Sequence, residues 1–281
     1  MEWSELRKEI KDLKSNSDLT PTAVASAGSE LIYRVLSEMY IGEPDPLRKI
    51  ALAISESRPS IVALRNVSVA VVRTAQEARV GDRMAAAGRA ASRLKRIIDK
   101  TPKELGRRGQ PLIENNSNVA VFSYSLAVHY ATDIGKEKIN SLIKIPSKSF
   151  NNIGQQVSSI QKEKVREIRL EDIDFDTEKI DCVLLGCTAF LANGSIVAES
   201  GTKELVERCF ESNIKVHFFA DTLKLAPWLP NENSNTGFLD IIPGKYVDHV
   251  ITEDGIRRPD QLLDAAADLA PMWENLRTGN S

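Results

Sequence analysis

The stretch from Ile180 to Lys203, IDCVLLGCTAFLANGSIVAESGTK, constrains the fold of this 281-residue chain more than any other stretch. Its first part, Cys182 to Leu185, is a short uninterrupted apolar run followed by a glycine, which is typical of a parallel strand covered on both faces. Asn193-Gly194 is a strong signal for a tight turn, and the KELVERCF segment after Gly201-Thr202 has apolar residues at helical spacing. The stretch therefore predicts a strand, a turn and a helix start in succession.

This succession also predicts where a ligand would bind. In open α/β sheets the ligand crevice lies beyond the carboxyl ends of the strands, and the free N–H groups at a helix N-terminus favour anions. Cys187, Thr188, Gly201 and Thr202 are therefore the first candidate site residues. The alternative reading is structural, in which Gly201 only permits a turn and Thr202 only caps a helix.

Length and composition indicate a globular protein of two domains. A chain of 281 residues with 42% hydrophobic and 27% charged residues can bury a sizeable core. Its formal net charge of -2 provides no global attraction to nucleic acid. The charged N-terminal residues do not resemble a signal peptide, and no window approaches the roughly 20 apolar residues of a membrane helix. We therefore expect a cytoplasmic protein that does not bind membranes.

The cysteines and histidines do not predict a metal site or a cofactor. Cys182, Cys187 and Cys209 form no CxxC pair and have no neighbouring histidine, so reduced thiols are expected. His129 and Asp133 are four residues apart on a predicted helix and could share a metal or a proton. Two ligands are not a site, and an ordinary surface pair at i,i+4 spacing is the alternative.

Residues 1–110 predict a helical domain. Apolar residues recur at helical spacing from Trp3 to Leu13, and a capping side chain precedes both Pro21 and Pro46. The apolar run after Pro59 is β-branched, but its length favours a buried helix over a strand.

The segment from Arg79 to Arg108 is rich in alanine and basic residues and has two readings. It could present a phosphate-tracking surface to nucleic acid. It could equally be a solvated helix whose alanine stripe packs on its neighbours. Gly106, Gly109 and Pro111 then interrupt the helical pattern, which predicts a domain junction near residue 110.

Residues 111–281 predict a Rossmann-like, mostly parallel sheet domain, because strand and helix signals alternate along them. The predicted strands are Asn118 to Tyr124, Ile139 to Ile145, Val165 to Leu170, Cys182 to Leu185, Ile214 to Ala220 and Tyr246 to Thr252. The predicted helices are Leu126 to Ile134, Phe150 to Gln161, Lys203 to Ser212 and Leu262 to Leu269.

The segment IIPGKYVDHVITEDGIRRPDQL resembles the C-terminal signature of the initiation factor 2B alpha/beta/delta family. That family also contains methylthioribose-1-phosphate isomerase and ribose-1,5-bisphosphate isomerase. Agreement in order and spacing continues at Ser57-Arg58-Pro59-Ser60 with the following VALRNV, at Asn193-Gly194-Ser195 leading to Gly201-Thr202, and at Asp221-Thr222-Leu223-Lys224. The resemblance spans most of the chain and implies an N-terminal helical domain joined to a Rossmann-like domain, commonly dimerised through the latter.

The catalytic residues that the resemblance implies are replaced in this chain. The family's isomerases are expected to use a Cys after the first strand of the second domain and an Asp after the central strand, on either side of a phosphorylated sugar. Ser123 and Thr188 stand at these positions. A serine hydroxyl without an adjacent base is a poor acid or nucleophile near neutral pH, and threonine cannot replace a carboxylate as a proton shuttle.

The implied substrate-holding residues also differ. Ala198-Glu199 replaces an Asn-Lys pair, which puts an acid where a phosphate ester would need a cation, and Ser147-Lys148-Ser149-Phe150 replaces an Arg-containing motif. The segment Phe122-Ser123-Tyr124-Ser125 is nearer to the non-catalytic initiation-factor branch. The expected ligand-binding residues are Ser123, Tyr124, Ser125, Cys187, Thr188, Glu199, Gly201, Thr202, Asp221 and Lys224.

These observations lead to competing functions. The first is a non-catalytic binding or regulatory protein of translation initiation, a homodimeric pseudoenzyme whose vestigial pocket accepts a phosphorylated sugar or a nucleoside monophosphate and which meets a translation-factor partner. The second is a sugar-phosphate isomerase that uses rearranged residues such as Ser123, Cys187 or Asp221. A nucleic-acid-associated protein working through the basic helix is the least favoured class.

Overall fold

The computed structural model describes residues 1–16, 19–39, 41–147, 160–229 and 239–279. The chain divides into two compact units, of which the first, helical unit comprises Met1–Lys100, Leu223–Asn231 and Ala267–Ser281. The second, the sheet unit, comprises Thr101–Thr222 and Glu232–Ala266. The sequence predicted a single boundary near residue 110. Instead, the chain passes between the units near residue 100 and returns to the helical unit twice.

The helical content of the first hundred residues is as predicted. The helices along the chain are α1 (Trp3–Ser15), α2 (Pro21–Glu38), α3 (Pro44–Ser57), α4 (Val62–Glu77), α5 (Arg83–Gly109), α6 (Leu126–Ile134), α7 (Phe175–Glu178), α8 (Thr202–Glu211), α9 (Leu263–Ala267) and α10 (Ala270–Thr278). Thr20 caps α2 by accepting the N–H of Ala23 at 3.2 Å, as its position before Pro21 predicted. Helix α4 is buried on nearly every side, which explains its apolar composition.

A buried polar network accounts for the return of the C-terminal helix to the helical unit. The indole N–H of Trp273 in α10 donates to Asn66 Oδ1 at 2.7 Å. The side-chain amide of Asn66 donates in turn to the carbonyl groups of Leu223 and Leu225, at 2.7 and 2.8 Å. Because buried polar groups are costly without partners, this network joins α4, α10 and the segment after residue 222. No local pattern in the sequence indicates it.

Strands and helices alternate in the sheet unit. The strands along the chain are β1 (Ser117–Phe122), β2 (Ile139–Ile145), β3 (Val165–Glu167), β4 (Cys182–Gly186), β5 (Ala189–Leu191), β6 (Ile196–Glu199), β7 (Lys215–Phe219), β8 (Leu225–Ala226, in the helical unit), β9 (Leu239–Ile242), β10 (His249–Thr252) and β11 (Gly255–Arg257). The main sheet has the order β11-β10-β7-β4-β1-β2-β3, and its pairs are parallel except β10 with β11. The predicted fold class, a helical domain followed by a mostly parallel Rossmann-like sheet domain, is confirmed.

The segment after β4 is more elaborate than the predicted strand, turn and helix. β5 and β6 form a hairpin around Asn193-Gly194, where Gly194 has φ 82°. β9 pairs antiparallel with the other side of β6. Three-residue and four-residue strands are too short to give a clear alternation, so the sequence did not indicate them. The helix predicted over Phe150 to Gln161 lies almost entirely outside the described residues.

Helix α5 is continuous through Gly106, where the sequence predicted an interruption. A Cβ atom on Gly106 would lie 2.4 Å from Tyr130 Cβ, so the missing side chain lets α6 approach α5 closely. Ala87 and Ala91 are fully buried, whereas Arg89, Arg93 and Arg96 are exposed, as the packing interpretation of this helix expected. Over the described ranges, no helix combines the length and apolar character needed to cross a bilayer.

Candidate functional site

Four of the predicted site residues of the sheet unit follow the carboxyl ends of neighbouring parallel strands, as does Ser147. Ser123 follows β1, Ser147 follows β2, Cys187 and Thr188 follow β4, and Asp221 follows β7. Because β7, β4, β1 and β2 are adjacent in the sheet, these ends lie at one edge. This carboxyl edge is where open α/β sheets place their ligands.

Ser123 is held in an uncommon backbone conformation. Its φ of 58° lies in the left-handed region, which residues other than glycine rarely adopt. Its N–H donates to the carbonyl of Ile145 at 3.3 Å, and its hydroxyl donates to a carboxylate oxygen of Glu199. Such conformations persist where the surroundings enforce them and are enriched at functional sites.

Glu199 connects the ends of three strands. The hydroxyl of the buried Ser147 donates to its Oε1, while that of Ser123 donates to its Oε2. Glu199 itself ends β6. Its carboxylate thus accepts from two hydroxyls that an anionic ligand at this edge would otherwise use. Ser147 belongs to the segment that replaces the Arg-containing motif of the resembled family, and the sequence did not predict its hydrogen bond to Glu199.

The N-terminus of α8 holds an anion that belongs to the chain itself. Asp240 Oδ2 accepts the N–H groups of Gly201 and Lys203, at 2.8 and 2.9 Å. Gly201 has φ 96°, and the Thr202 hydroxyl donates to the carbonyl of Glu199 at 2.5 Å. The helix terminus therefore attracts negative charge as its free N–H groups predict. Asp240 comes from β9, so no residue near α8 in the sequence indicated it.

The turn after β1 is positioned by packing as well as by hydrogen bonds. Ser125 caps α6 by accepting the N–H of Val128 at 3.4 Å. A Cβ atom on Gly186 would lie 2.7 Å from Ser125 Cβ, so glycine at the end of β4 allows the turn to approach. Tyr124 is half-buried, and burial, together with the nearby Tyr130, raises the pKa of its phenol.

Cys187 and Thr188, which follow β4, provide no carboxylic acid at the carboxyl edge. Cys187 is buried, and its thiol donates to the carbonyl of Phe219 at 3.8 Å. Thr188 is also buried, and its N–H donates to the carbonyl of Val197 at 2.8 Å, which extends the β5–β6 hairpin. None of the three cysteines forms a disulfide bond, and burial raises the pKa of Cys182 and of Cys209 to about 12.

The segment after β7 is divided between the two units. Asp221 is half-buried, and the N–H of Thr222 donates to the Glu253 carboxylate at 3.0 Å. Lys224 is buried and belongs to the helical unit. Its approach to the carboxyl edge stays a prediction.

Two histidines lie side by side on β7 and β10, away from this edge. The Nδ1 atoms of His217 and His249 are 3.4 Å apart. His217 is buried, and this burial, reinforced by His249, lowers its pKa to about 4. Among the residues that the structure describes, no group of three or more His, Cys, Asp or Glu side chains could hold a metal ion.

Comparisons with known proteins place these features in a family. The model of the initiation factor 2 subunit family matches residues 25–237. The chain is 24% identical over 255 residues to the ribose 1,5-bisphosphate isomerase of Haloferax volcanii, covering 77% of this chain and 76% of that protein. It is 23% identical over 270 residues to a putative translation initiation factor eIF-2B subunit 2-like protein of Pyrococcus abyssi, covering 89% and 95% of the two chains.

Solved structures share the fold. The tetrameric eIF2B-beta2-delta2 complex of C. thermophilum contains a chain that matches with a TM-score of 0.79 at 16% identity, covering 94% of each chain. The translation initiation factor eIF-2B of Pyrococcus horikoshii OT3 matches with a TM-score of 0.77 at 19% identity, covering 92% of this chain and 98% of that one. The match of the family model to most of the chain confirms the resemblance seen in the sequence, and the chain belongs to the initiation factor 2 subunit family.

Proposed function

We propose that this chain is a non-catalytic binding or regulatory protein of the initiation factor 2B type, with a vestigial pocket for a phosphorylated sugar or a nucleotide at the carboxyl edge of the sheet. The observation that carries the proposal is the absence of both residues that the isomerases are expected to use. Ser123 stands where they are expected to have a thiol, and its hydroxyl donates to Glu199. Thr188, at the expected acid position, supplies no proton shuttle.

The chemistry of the edge supports weak, non-catalytic binding. Glu199 accepts the hydroxyls of Ser123 and Ser147, and Asp240 accepts the N–H groups that α8 would offer to a phosphate. Both carboxylates repel further negative charge. We therefore expect simple sugar phosphates to bind on the order of millimolar, and nucleoside monophosphates to bind better than bisphosphates.

Two observations favour the second function, a sugar-phosphate isomerase with rearranged catalytic residues. Two relatives are named ribose 1,5-bisphosphate isomerase, and Glu199 places a carboxylate against Ser123. In that case Glu199 would act as the base that Ser123 otherwise lacks.

An assay of product formation from ribose-1,5-bisphosphate and 5-methylthioribose-1-phosphate separates the two functions. We expect no turnover above a heat-killed control, with the Haloferax volcanii isomerase assayed in parallel as the positive control. Turnover that disappears in Glu199→Gln would overturn the non-catalytic proposal and support the isomerase.

A further inference from the structure

Arg65 is a charged side chain in the first turn of α4, a buried helix of the helical unit. It lies on α4 between the fully buried Leu64 and the nearly buried Asn66, and its own exposed fraction is 9%. A buried charge costs free energy unless it is paired and hydrogen-bonded. The position of Arg65 therefore requires an explanation that packing alone does not supply.

The guanidinium of Arg65 lacks a counter-ion within the described part of the chain. Its Nε is buried without a hydrogen-bond partner, and burial lowers the pKa of the side chain. Glu56 opposes that shift only through a longer-range charge interaction. Arg48 of the same unit shows the usual solution, because it pairs with Asp45 at 2.8 Å and donates to the carbonyl of Leu276 at 3.0 Å.

One tryptophan ring lies against this cation, and a second tryptophan packs against the first. Arg65 Cζ lies 5.1 Å from the ring centroid of Trp273, within the range of a cation–π contact. Trp228 meets Trp273 edge to face, with ring centroids 5.7 Å apart, and 40% of Trp228 is exposed. A tryptophan ring held in place beside a buried cation offers a planar ligand both an apolar surface and a charge.

We propose that Arg65, Trp273 and Trp228 form a binding site for a small planar organic anion, whose carboxylate or phosphate pairs with the Arg65 guanidinium. The planar fork of arginine matches either oxyanion. The exposed ring of Trp228 covers the apolar part of the ligand. All three residues of the site belong to the helical unit.

Tryptophan fluorescence tests the site, because two of the three tryptophans of the chain belong to it. The titrations use a Trp3→Phe background, which removes the third. The probes are adenosine monophosphate, benzoate and ribose 5-phosphate, so that they separate phosphate from carboxylate and ring-bearing from ring-free ligands. We expect adenosine monophosphate or benzoate to change the emission saturably, and ribose 5-phosphate to bind more weakly.

Arg65→Met should weaken binding of the ring-bearing probe at least about tenfold, because a hydrogen-bonded charge pair is lost. Arg73→Met is the matched control, since Arg73 is an exposed arginine of the same helix that pairs with Glu77. Equal affinity in Arg65→Met and Arg73→Met, or no saturable binding of either ring-bearing probe, would refute the site.

A stability measurement separates binding from a structural role. If Arg65 is retained for a ligand, Arg65→Met removes an unpaired buried charge and should raise the Tm by about a few degrees while binding is lost. A Tm lower than that of Arg73→Met would show that the guanidinium stabilises the fold, and would contradict the proposal.

Discussion

The side chain of Glu199 governs the chemistry at the carboxyl edge of the sheet. Its two carboxylate oxygens accept hydroxyls from Ser123 and Ser147, which follow two different strands. The sequence predicted an acid at a position where a phosphate would need a cation. The structure adds that the acid also engages the hydroxyl donors around it.

Replacing this acid should convert the edge into a better phosphate site. In Glu199→Lys we expect ribose 5-phosphate to bind at least about tenfold more tightly, because a cation replaces an anion and the two serine hydroxyls become available. Lys224→Ala should weaken binding if Lys224 approaches the same edge. Isothermal titration calorimetry measures both effects. Glu211→Lys, at the exposed end of α8, makes the same change in net charge, and equal affinities in the two lysine variants would contradict the prediction.

His217 should make the stability of the sheet unit depend on pH. Its pKa is lowered to about 4 by burial and by His249 and Lys215, against the opposing effect of Asp248, whereas an unfolded histidine titrates near 6.5. Between these values the unfolded chain binds more protons than the folded chain. The free energy of unfolding should therefore be highest above pH 6.5. It should fall as the pH is lowered from 6.5 toward 4, by up to about 1.4 kcal/mol per pH unit.

Urea unfolding at pH 7.5, 6 and 5 measures this dependence. His217→Leu should flatten the slope, because the variant lacks the group that the folded state keeps neutral. His129→Gln, which removes a histidine of α6, should retain the wild-type slope. If the free energy of unfolding depends on pH equally steeply in His217→Leu and in the wild-type protein, groups other than His217 cause the dependence.

At the scale of the elements, glycines decide how helices approach one another. Helix α5 contains both Gly88 and Gly106. A Cβ on Gly88 would meet only Leu36 Cβ, at 4.0 Å. A Cβ on Gly106 would lie 2.9 Å from the backbone nitrogen of Ala131, which cannot move without shifting α6.

The two alanine substitutions should therefore have opposite effects. Gly88→Ala should stabilise the protein by about 0.5–1 kcal/mol, the usual difference between the residues within a helix. Gly106→Ala should destabilise it by about 1–3 kcal/mol, because overpacking against α6 outweighs the gain in helix propensity. Denaturant unfolding compares the two variants directly. A Gly106→Ala variant more stable than the wild-type protein would contradict the prediction, because it would show that α6 can shift at little cost.

At the scale of the whole molecule, we predict a homodimer that forms through the sheet unit. The resembled family commonly pairs through this domain, and a symmetric interface is the usual arrangement of soluble oligomers. Light scattering at micromolar concentration should give about twice the mass of the 31.1 kDa chain. A measurement that finds only the single-chain mass across this range would contradict the prediction.

The sequence by itself determined the fold class and the main parallel strands. Apolar runs reveal buried strands, helical spacing reveals amphipathic helices, and their alternation implies right-handed crossovers and hence a common carboxyl edge. Ser123, Thr188 and Glu199 could therefore be placed near this edge without coordinates. The fold class and the strands could be inferred because each depends on residues that are close together in the chain, whereas a ligand site at this edge stays a prediction.

Only the tertiary structure decided which polar groups meet. Glu199 reaches Ser123 across 76 positions of sequence, Asp240 reaches Gly201 across 39, and Trp273 reaches Asn66 across 207. Periodicity records which face of an element is buried, but a buried donor can be satisfied by any acceptor that the fold brings near. The chain's own carboxylates at the carboxyl edge, the return of α10 to the helical unit and the burial of Arg65 beside Trp273 all depend on such distant contacts, so no local pattern could specify them.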